Sequence, residues 1–410
     1  MNKKLAAIAF LVLALPAGAA AIVWARHARQ RALAHQPETI LTTLERIKLP
    51  SGFKISLYAL VPGARHMAIG PQGKVIFVGT MGTTVYAVTG PAVSGSTHKV
   101  TEFAPTIRMA LPNGVCFSNE GVLFVVEQNR VLSFATAEAA YDDPSIAATT
   151  VVAQGKLIPP EDESDNHSAR VCRVGPDGKL YIALGQPYNV PPHEKMPKFS
   201  EWGIGGIIKM NQDGSGREVF ARGIRNSVGM DFNPKDGILW FTDNQADLMG
   251  DDIPPEELNR APTAGLNFGF PWYGGGHTRT EEYKNETPPD GVVFPEIETP
   301  AHAADLGMMF YLGTQFPPKY RGGIFFAQHG SWNRSVPIGA RVSFASLKPD
   351  GTGDKAEVFA EGWLNDQGTY DGRPVDVVEL PDGSLIVSDD FAGALYQITS
   401  DGYERALPPK

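Results

Sequence analysis

Residues 223–252, GIRNSVGMDFNPKDGILWFTDNQADLMGDD, contain two apolar runs joined by the turn sequence NPKDG. Apolar runs on either side of a tight glycine turn predict an antiparallel β-hairpin. Polar residues stand before the first run and after the second. Because the two open ends of a hairpin are neighbours, we expect both polar clusters to lie together, opposite the turn.

The same unit recurs along the chain, and such repetition is typical of β-propellers. Each copy joins a turn ending in glycine to a short run rich in β-branched and aromatic residues. The six copies are residues 70–80, 118–128, 175–185, 233–243, 319–329 and 380–390. The predicted turn glycines are Gly73, Gly121, Gly178, Gly237, Gly323 and Gly383. An apolar stretch precedes the turn in five of the six copies, so each unit is predicted to be strand, turn, strand.

These repeats predict an all-β fold, a six-bladed β-propeller of four-stranded antiparallel blades. A β-sandwich or two smaller β domains is the alternative. The strand-like segment GFKISLYAL, residues 52–60, precedes the first unit, and we expect it to close the ring by pairing with the last blade. No segment between the units has a sustained helical period. Residues from Asn244 to about Pro300 are interpreted as an insert in the fourth unit.

Composition narrows the class of protein further. The chain has 410 residues with 44 Gly and 33 Pro, spread along its length as expected for frequent turns. Its formal net charge is −9 and its body contains no basic run, which argues against a nucleic-acid partner.

The N-terminus has the pattern of an export segment. MNKK is followed by 20 uncharged, mostly apolar residues, Leu5 to Trp24, as in a secretory signal. That length can also span a bilayer. We therefore predict a periplasmic or otherwise exported protein. Residues 1–35 are a cleaved signal or an inner-membrane anchor with a linker, and residues 36–410 are the propeller domain.

The two cysteines, Cys116 and Cys172, form no disulfide framework. An exported protein can pair them. The alternative is two separate small residues buried in strands.

Polar clusters flank the other predicted hairpins as well. In the third unit, residues 164–170 (SDNHSAR) precede the hairpin and residues 185–189 (GQPYN) follow it. Residues 328–334 (QHGSWNR) follow the fifth hairpin. Residues 371–373 (DGR) and 389–390 (DD) flank the sixth. If every glycine turn lies at the bottom of its blade, these segments build one polar site around the top of the central channel.

Three segments carry a resemblance to the glucose/sorbosone dehydrogenase family: residues 164–185, residues 221–259 and residues 325–335 (FFAQHGSWNRS). The resemblance covers roughly residues 50–400, with the sorbosone dehydrogenase-like branch as the nearer match. Members of the family use pyrroloquinoline quinone (PQQ) and calcium. The resemblance therefore implies oxidation of a sugar, at an aldose C1 hydroxyl or at an aldehyde such as sorbosone. It also implies a quinone or cytochrome as electron acceptor.

The resemblance also implies roles for particular residues. His167 matches the catalytic base, and an imidazole suits removal of a hydroxyl proton near neutral pH. Arg225 and Asn226 match the pair that contacts PQQ, where Arg225 can stabilise charge developing on a quinone oxygen. Backbone carbonyls of Gln245 and Ala246 would bind calcium, which favours oxygen ligands. Further cofactor-binding candidates are Asn189, His329, Trp332, Arg334 and Arg373.

Two positions depart from the family pattern. The family often has a second basic residue two positions after the equivalent of Arg373, and here that position is Val375. In soluble glucose dehydrogenases a lysine follows the fifth-blade strand. Here that segment reads HGSWNR, and Arg334 or His329 is the candidate replacement. Trp332 is expected either to stack on the flat cofactor or to pack in the channel.

Plainer interpretations and other functions remain. His167 can be a channel-lining histidine, Arg225 a structural arginine, and the DNQAD segment (243–247) a solvated acidic loop. A calcium-dependent lactonase on the same fold would need side-chain carboxylates at the channel centre. A non-catalytic binding propeller is the other alternative.

Overall fold

The structure, a computed structural model, describes residues 37–90 and 98–400. The predicted export segment lies outside these residues. Strand β1 (Phe53–Leu60) comes before the first blade. Blade 1 contains β2 (Met67–Ile69), β3 (Val75–Val78), β4 (Val85–Thr89) and β5 (Lys99–Phe103). Blade 2 contains β6 (Gly114–Phe117), β7 (Leu123–Val126), β8 (Val131–Phe134) and β9 (Thr149–Val152).

The remaining blades follow in chain order. Blade 3 contains β10 (Val171–Val174), β11 (Leu180–Leu184), β12 (Gly206–Met210) and β13 (Glu218–Arg222). Blade 4 contains β14 (Met230–Phe232), β15 (Leu239–Asp243), β16 (Glu256–Ala261) and β20 (Ile297–Thr299). Three short strands lie between β16 and β20 in the chain: β17 (Leu266–Asn267), β18 (Tyr273–Gly275) and β19 (Thr278–Arg279). Blade 5 contains β21 (Asp305–Phe310), β22 (Ile324–Gln328), β23 (Arg341–Leu347) and β24 (Gly353–Glu361). Blade 6 contains β25 (Pro374–Glu379), β26 (Leu385–Asp389) and β27 (Ala394–Ser400).

These sheets confirm the predicted six-bladed β-propeller. The first strand of each blade contacts the first strand of the next, so β2, β6, β10, β14, β21 and β25 form a closed ring around the channel. Strand β1 completes blade 6 by pairing antiparallel with β27, with Ile55 opposite Ile398. The predicted closure of the ring is therefore confirmed.

The glycine turns lie together on one face. Five of the predicted turn glycines have φ between 68° and 83°, which only glycine adopts readily. A Cβ added at Gly73 would lie 2.5 Å from Pro381, and one at Gly237 would lie 3.3 Å from Pro176, so neighbouring turns abut. The open ends of the inner hairpins therefore share the opposite face, which we call the channel mouth.

The fifth unit differs from the prediction. Gly323 is not a turn glycine, because residues 311–323 form a long connection that contains a 3₁₀ helix, Pro318–Tyr320. The left-handed residue there is Gly322, with φ of 75°. Gly323 is instead required for packing, since a Cβ at that position would lie 2.3 Å from the Phe344 ring.

The predicted insert of the fourth unit is also partly wrong. Two of its segments, β16 and β20, are outer strands of blade 4. Only the intervening residues leave the blade: β17 joins blade 3 in parallel with β13, and β18 and β19 form a separate hairpin.

Helices are few and short. Helix α1 (Pro37–Arg46) buries Ile40 against blades 5 and 6, and α2 (Met196–Trp202) lies between β11 and β12. Two further 3₁₀ helices cover Pro160–Asp162 and His193–Lys195. No helix in the described ranges is both long and apolar enough to cross a membrane.

Cys116 and Cys172 form a disulfide, with their Cα atoms 5.8 Å apart. Of the two alternatives left by the sequence, separate thiols are therefore wrong. Both cysteines are buried in inner strands, β6 and β10, so the bond links blade 2 to blade 3 beside the channel.

Candidate active site

Arg225 lies at the channel mouth, where the chain enters β14, and is only 2% exposed. Its Nε donates to the Asn189 carbonyl oxygen at 3.0 Å, and its Nη2 donates to Asn189 Oδ1 at 2.9 Å. Nη2 also donates to Asp247 Oδ2 at 2.7 Å. Asn189 thus holds the guanidinium in place from blade 3, while Asp247 neutralises part of its charge.

The polar residues before and after the blade 4 hairpin are tied together directly. The backbone N–H groups of Arg225 and Asn226 donate to the two carboxylate oxygens of Asp243, at 2.9 Å and 2.7 Å. Nη1 of Arg225 donates to the Asn244 carbonyl oxygen at 3.1 Å. This is the arrangement expected of a hairpin whose open end faces the mouth.

His167 precedes β10 and carries a left-handed backbone, with φ of 51°. The conformation is costly for a residue with a Cβ. It is held by Arg170, whose Nη1 donates to the carbonyl oxygens of His167 (2.9 Å) and Gly185 (3.2 Å). The strain and its support indicate a side chain whose direction is fixed by the fold.

The imidazole of His167 has a defined tautomer. Its Nδ1 lies 2.5 Å from the Gln186 carbonyl oxygen. A carbonyl oxygen can only accept, so Nδ1 carries the hydrogen and Nε2 keeps its lone pair. Desolvation and the charge of Arg225 lower the pKa of His167 to about 3. At neutral pH the ring is therefore an uncharged proton acceptor.

Asn226 and His167 converge at Gly185. A Cβ on Gly185 would lie 2.4 Å from Asn226 Oδ1 and 2.9 Å from His167 Cβ, so no larger residue fits there. The Oδ1 atom of Asn226 is buried and has no hydrogen-bond partner among the described residues. An unpartnered buried oxygen is costly and favours a ligand or ordered water at this point.

Gln245 and Ala246 lie in a loop whose backbone carbonyl oxygens are available to bind a ligand. Their amides are used, since Gln245 N donates to Glu256 Oε2 at 2.9 Å and Ala246 N to the Gly274 carbonyl oxygen at 2.8 Å. No donor within residues 37–90 and 98–400 bonds either carbonyl oxygen. The described residues contain no group of three His, Cys, Asp or Glu side chains that could hold a metal. The donor set of this loop, backbone carbonyl oxygens, fits calcium.

Arg373 and His329 lie where blades 5 and 6 meet at the mouth. Arg373 Nε donates to the His329 carbonyl oxygen at 2.9 Å, and its Nη2 donates to the Gly330 carbonyl oxygen at 2.6 Å. His329 Nε2 lies 2.8 Å from Asp390 Oδ1. Desolvation and the Arg373 charge lower the pKa of His329 to about 4, although Asp390 opposes the shift. His329 is therefore a neutral group beside a cation.

The two other candidates of the fifth-blade segment lie at the rim. Arg334 donates from Nη1 to the Asp251 carbonyl oxygen and from Nη2 to Asp252 Oδ1, at 3.2 Å in the second case. Arg334 therefore binds the loop that follows the calcium segment, and His329 is the candidate replacement that lies beside Arg373. Trp332 is 65% exposed, so its ring is not packed in the channel.

An apolar floor lies beneath these polar groups. One buried cluster contains Ala169, Val228, Leu306 and Val375, which stand near the upper ends of four different inner strands. Val375 is 1% exposed, so the position where the family often has a basic residue belongs to this floor. A flat aromatic ligand could lie on such a surface with its polar edge against the surrounding side chains.

The family model described as glucose/sorbosone dehydrogenase matches residues 124–397. The chain belongs to this family. Membership of the glucose/sorbosone dehydrogenase family supports an oxidoreductase that acts on sugars. The match begins in blade 2 and ends in the last strand of blade 6, and it includes His167, Arg225 and Arg373.

The chain is also similar to two other proteins and to a solved structure. An uncharacterised protein of Borreliella burgdorferi is 32% identical over 367 residues, which cover 88% of this chain and 92% of that protein. The aldose sugar dehydrogenase YliI of Escherichia coli is 27% identical over 263 residues, 58% of this chain and 62% of that enzyme. The holo form of the pyranose dehydrogenase PQQ domain from Coprinopsis cinerea has a TM-score of 0.67 at 19% identity, over 86% of this chain and 97% of that domain. The similarity to the Coprinopsis cinerea domain shows that the two proteins share a fold.

Two mouth residues were not predicted from the sequence. Asp247 belongs to the predicted calcium segment, but its ion pair with Arg225 depends on a side-chain direction that no motif encodes. Arg65 lies 2.5 Å from Asp390 and directly precedes the apolar stretch of the first unit. Applying the hairpin argument to blade 1, as to the others, would have placed Arg65 at the mouth.

Proposed function

We propose that this protein is an exported, PQQ- and calcium-dependent dehydrogenase of a sugar, acting on an aldose C1 hydroxyl or on a sugar aldehyde such as sorbosone. The observation that carries the proposal is His167. The imidazole is neutral, its Nδ1–H is bound to the Gln186 carbonyl oxygen, and its Nε2 lone pair is available. That is the state required of a general base. Arg225, 58 positions later in the chain, lies at the same mouth.

The residues of the mouth fit the cofactor in kind. Asn226 offers an unpartnered oxygen, Arg373 a cation for a carboxylate, and Trp332 an exposed ring for stacking. His329 lies against Arg373 as a neutral hydrogen-bonding group. Asn189 acts through Arg225, and Arg334 acts through the 251–252 loop. The carbonyl oxygens of Gln245 and Ala246 would hold calcium.

The chain's own part in the reaction is proton removal and charge stabilisation. The Nε2 atom of His167 accepts the proton of the substrate hydroxyl, which is the C1 hydroxyl of an aldose or a hydroxyl of a hydrated aldehyde. The hydride leaves from the carbon that bore this hydroxyl. PQQ supplies the hydride acceptor when bound, with calcium as a Lewis acid. Arg225 is fixed in advance by Asn189, so it can stabilise new negative charge without reorganising. Electrons then pass to a quinone or cytochrome, and the N-terminal segment serves for export or membrane attachment.

Reconstitution tests this function. Purified protein should bind PQQ in the presence of calcium, shown by equilibrium dialysis and by an absorbance change on addition of sugar. A dye-linked screen over aldoses and aldehydes then identifies the substrate. Chelation of calcium should abolish PQQ binding, and added calcium should restore it. Absence of PQQ binding with calcium present would overturn the proposal.

A further inference from the structure

Arg65 lies on the blade 1 side of the mouth and is 9% exposed. Its backbone N–H donates to the Gly79 carbonyl oxygen at 3.0 Å, directly above the blade 1 hairpin. Its Nε donates to Asn113 Oδ1 at 2.9 Å, and its Nη1 bonds Asp390 Oδ2 at 2.5 Å. Two other blades thus fix the guanidinium, because Asn113 belongs to blade 2 and Asp390 to blade 6, while the Arg65 backbone is held in blade 1.

Asp390 connects Arg65 to the cofactor-binding candidates. Its other carboxylate oxygen lies 2.8 Å from His329 Nε2, and Arg373 donates to the His329 carbonyl oxygen. Burial lowers the pKa of both His329 and Arg373, and the nearby charge of Arg65 adds to both shifts. With His329 neutral, the two arginines lie beside two carboxylates, because Asp389 Oδ1 also accepts from the Arg373 backbone N–H at 2.9 Å.

Each of the two arginines has a nitrogen that is not used in the hydrogen bonds described above. Among the described residues, Nη2 of Arg65 and Nη1 of Arg373 have no hydrogen-bond acceptor. A guanidinium nitrogen without an acceptor can give a charge-assisted hydrogen bond to a carboxylate oxygen. The two nitrogens come from blades 1 and 6.

A cavity gives a ligand access to Arg65. It has a volume of about 500 Å³ and is lined by Arg65, Asp390, Met81, Thr80 and Tyr86, among others. Met81 also packs against the apolar floor that contains Val375. The cavity therefore reaches from the floor of the mouth to the Arg65–Asp390 pair.

We propose that Arg65 and Arg373 together bind a carboxylate of the cofactor, with Asp390 as the counter-ion near both. Arg65 would then supply the second cation that Val375 cannot supply, because Val375 is part of the apolar floor. The inference rests on the proposed function, since the carboxylate is that of PQQ.

Equilibrium dialysis of PQQ with calcium-loaded protein tests the inference. Arg65→Gln should weaken PQQ binding by about 10-fold or more, the scale of a lost charge-assisted hydrogen bond. Arg65→Lys should give an intermediate loss, because it keeps the charge without the planar fork. Asp390→Asn should strengthen binding several-fold, since it removes a negative charge from the site. Arg260→Gln, which breaks another Arg–Asp pair on the face of the glycine turns, is the matched control and should bind as wild type.

The opposite signs distinguish binding from folding. If Arg65 only supports the fold, Arg65→Gln and Asp390→Asn should weaken PQQ binding together and lower the melting temperature together, and this result would overturn the inference. Equal binding by wild type and Arg65→Gln would overturn it as well, while leaving the proposed function intact. Failure of wild type to bind PQQ would instead count against the proposed function.

Discussion

Arg225 and Asp247 form an ion pair of 2.7 Å, in which the Arg225 side chain is 3% exposed and that of Asp247 is 23% exposed. A buried cation at the mouth is thus already matched by a carboxylate of the chain. Asn333 Nδ2 donates to the other oxygen of Asp247 at 3.2 Å, so the carboxylate is held from blade 5 as well. Any anionic ligand that approaches Arg225 meets Asp247 beside it.

Asp247→Asn should therefore tighten PQQ binding. The amide can still accept from Arg225, so its position is kept, while the repulsion of a ligand carboxylate is lost. We expect a dissociation constant lower by about 3- to 10-fold at low salt, as for one partly screened charge. Asp252→Asn, which alters a highly exposed partner of Arg334, is the control and should change little. Weaker binding by Asp247→Asn would show that the ion pair itself is needed for the site.

His167→Ala should retain PQQ binding and lose turnover by about 10²-fold or more, the scale expected for loss of a general base. Binding by dialysis and turnover with a dye acceptor are measured on the same sample. His98→Ala is a suitable control, since His98 stacks on Tyr58 away from the mouth. Near-normal turnover without the imidazole would remove His167 from the mechanism.

The pH dependence of kcat/KM should reflect the depressed pKa of His167. A base must be neutral to act, so activity falls as the pH drops through its pKa. That pKa is lowered to about 3 from an ordinary value of 6.5, by desolvation and by Arg225. Carboxylates of bound PQQ would offset Arg225 and raise it, so we expect the acid limb between about 3 and 6.5. An acid limb at or above 6.5 contradicts the environment described for this imidazole.

Loss of the Cys116–Cys172 disulfide should destabilise the propeller. Replacement of both cysteines by alanine should lower the free energy of unfolding by about 2–4 kcal/mol, the usual range for such a bond. Denaturant titration measures the change. Cys116→Ala alone should cost nearly as much, because either change removes the bond. Equal stability of wild type with and without reductant would show that the bond contributes little.

The fold was predictable because its repeating element is local. A strand, a glycine turn and a second strand lie within about a dozen residues, and the alternation of apolar and polar segments then fixes which end is the mouth. The fifth unit escaped this reasoning, since its inner strands are joined by the long connection of residues 311–323. Helix α2 was not predicted, because its seven residues are too few to show a helical period.

The site was predictable only as far as local segments reach. His167, Arg225 and Arg373 each stand just before an inner strand, so the hairpin argument places them at one mouth. Side-chain contacts between blades could not be predicted in this way. The contact between Arg65 and Asp390, for example, joins residues 325 positions apart. Such pairs depend on blade-to-blade packing, and no periodicity in the chain records it.

The pairing of β1 with β27 has a consequence for biosynthesis. The first strand finds its neighbour only when the last strand has been made, since Phe53 faces Ser400. Until then β1 and β26 each present an open hydrogen-bonding edge, the kind of surface on which chains associate wrongly. Folding of the ring must therefore finish after β27 has been made, and a truncation that removes Ala394–Ser400 would leave that seam open in every molecule.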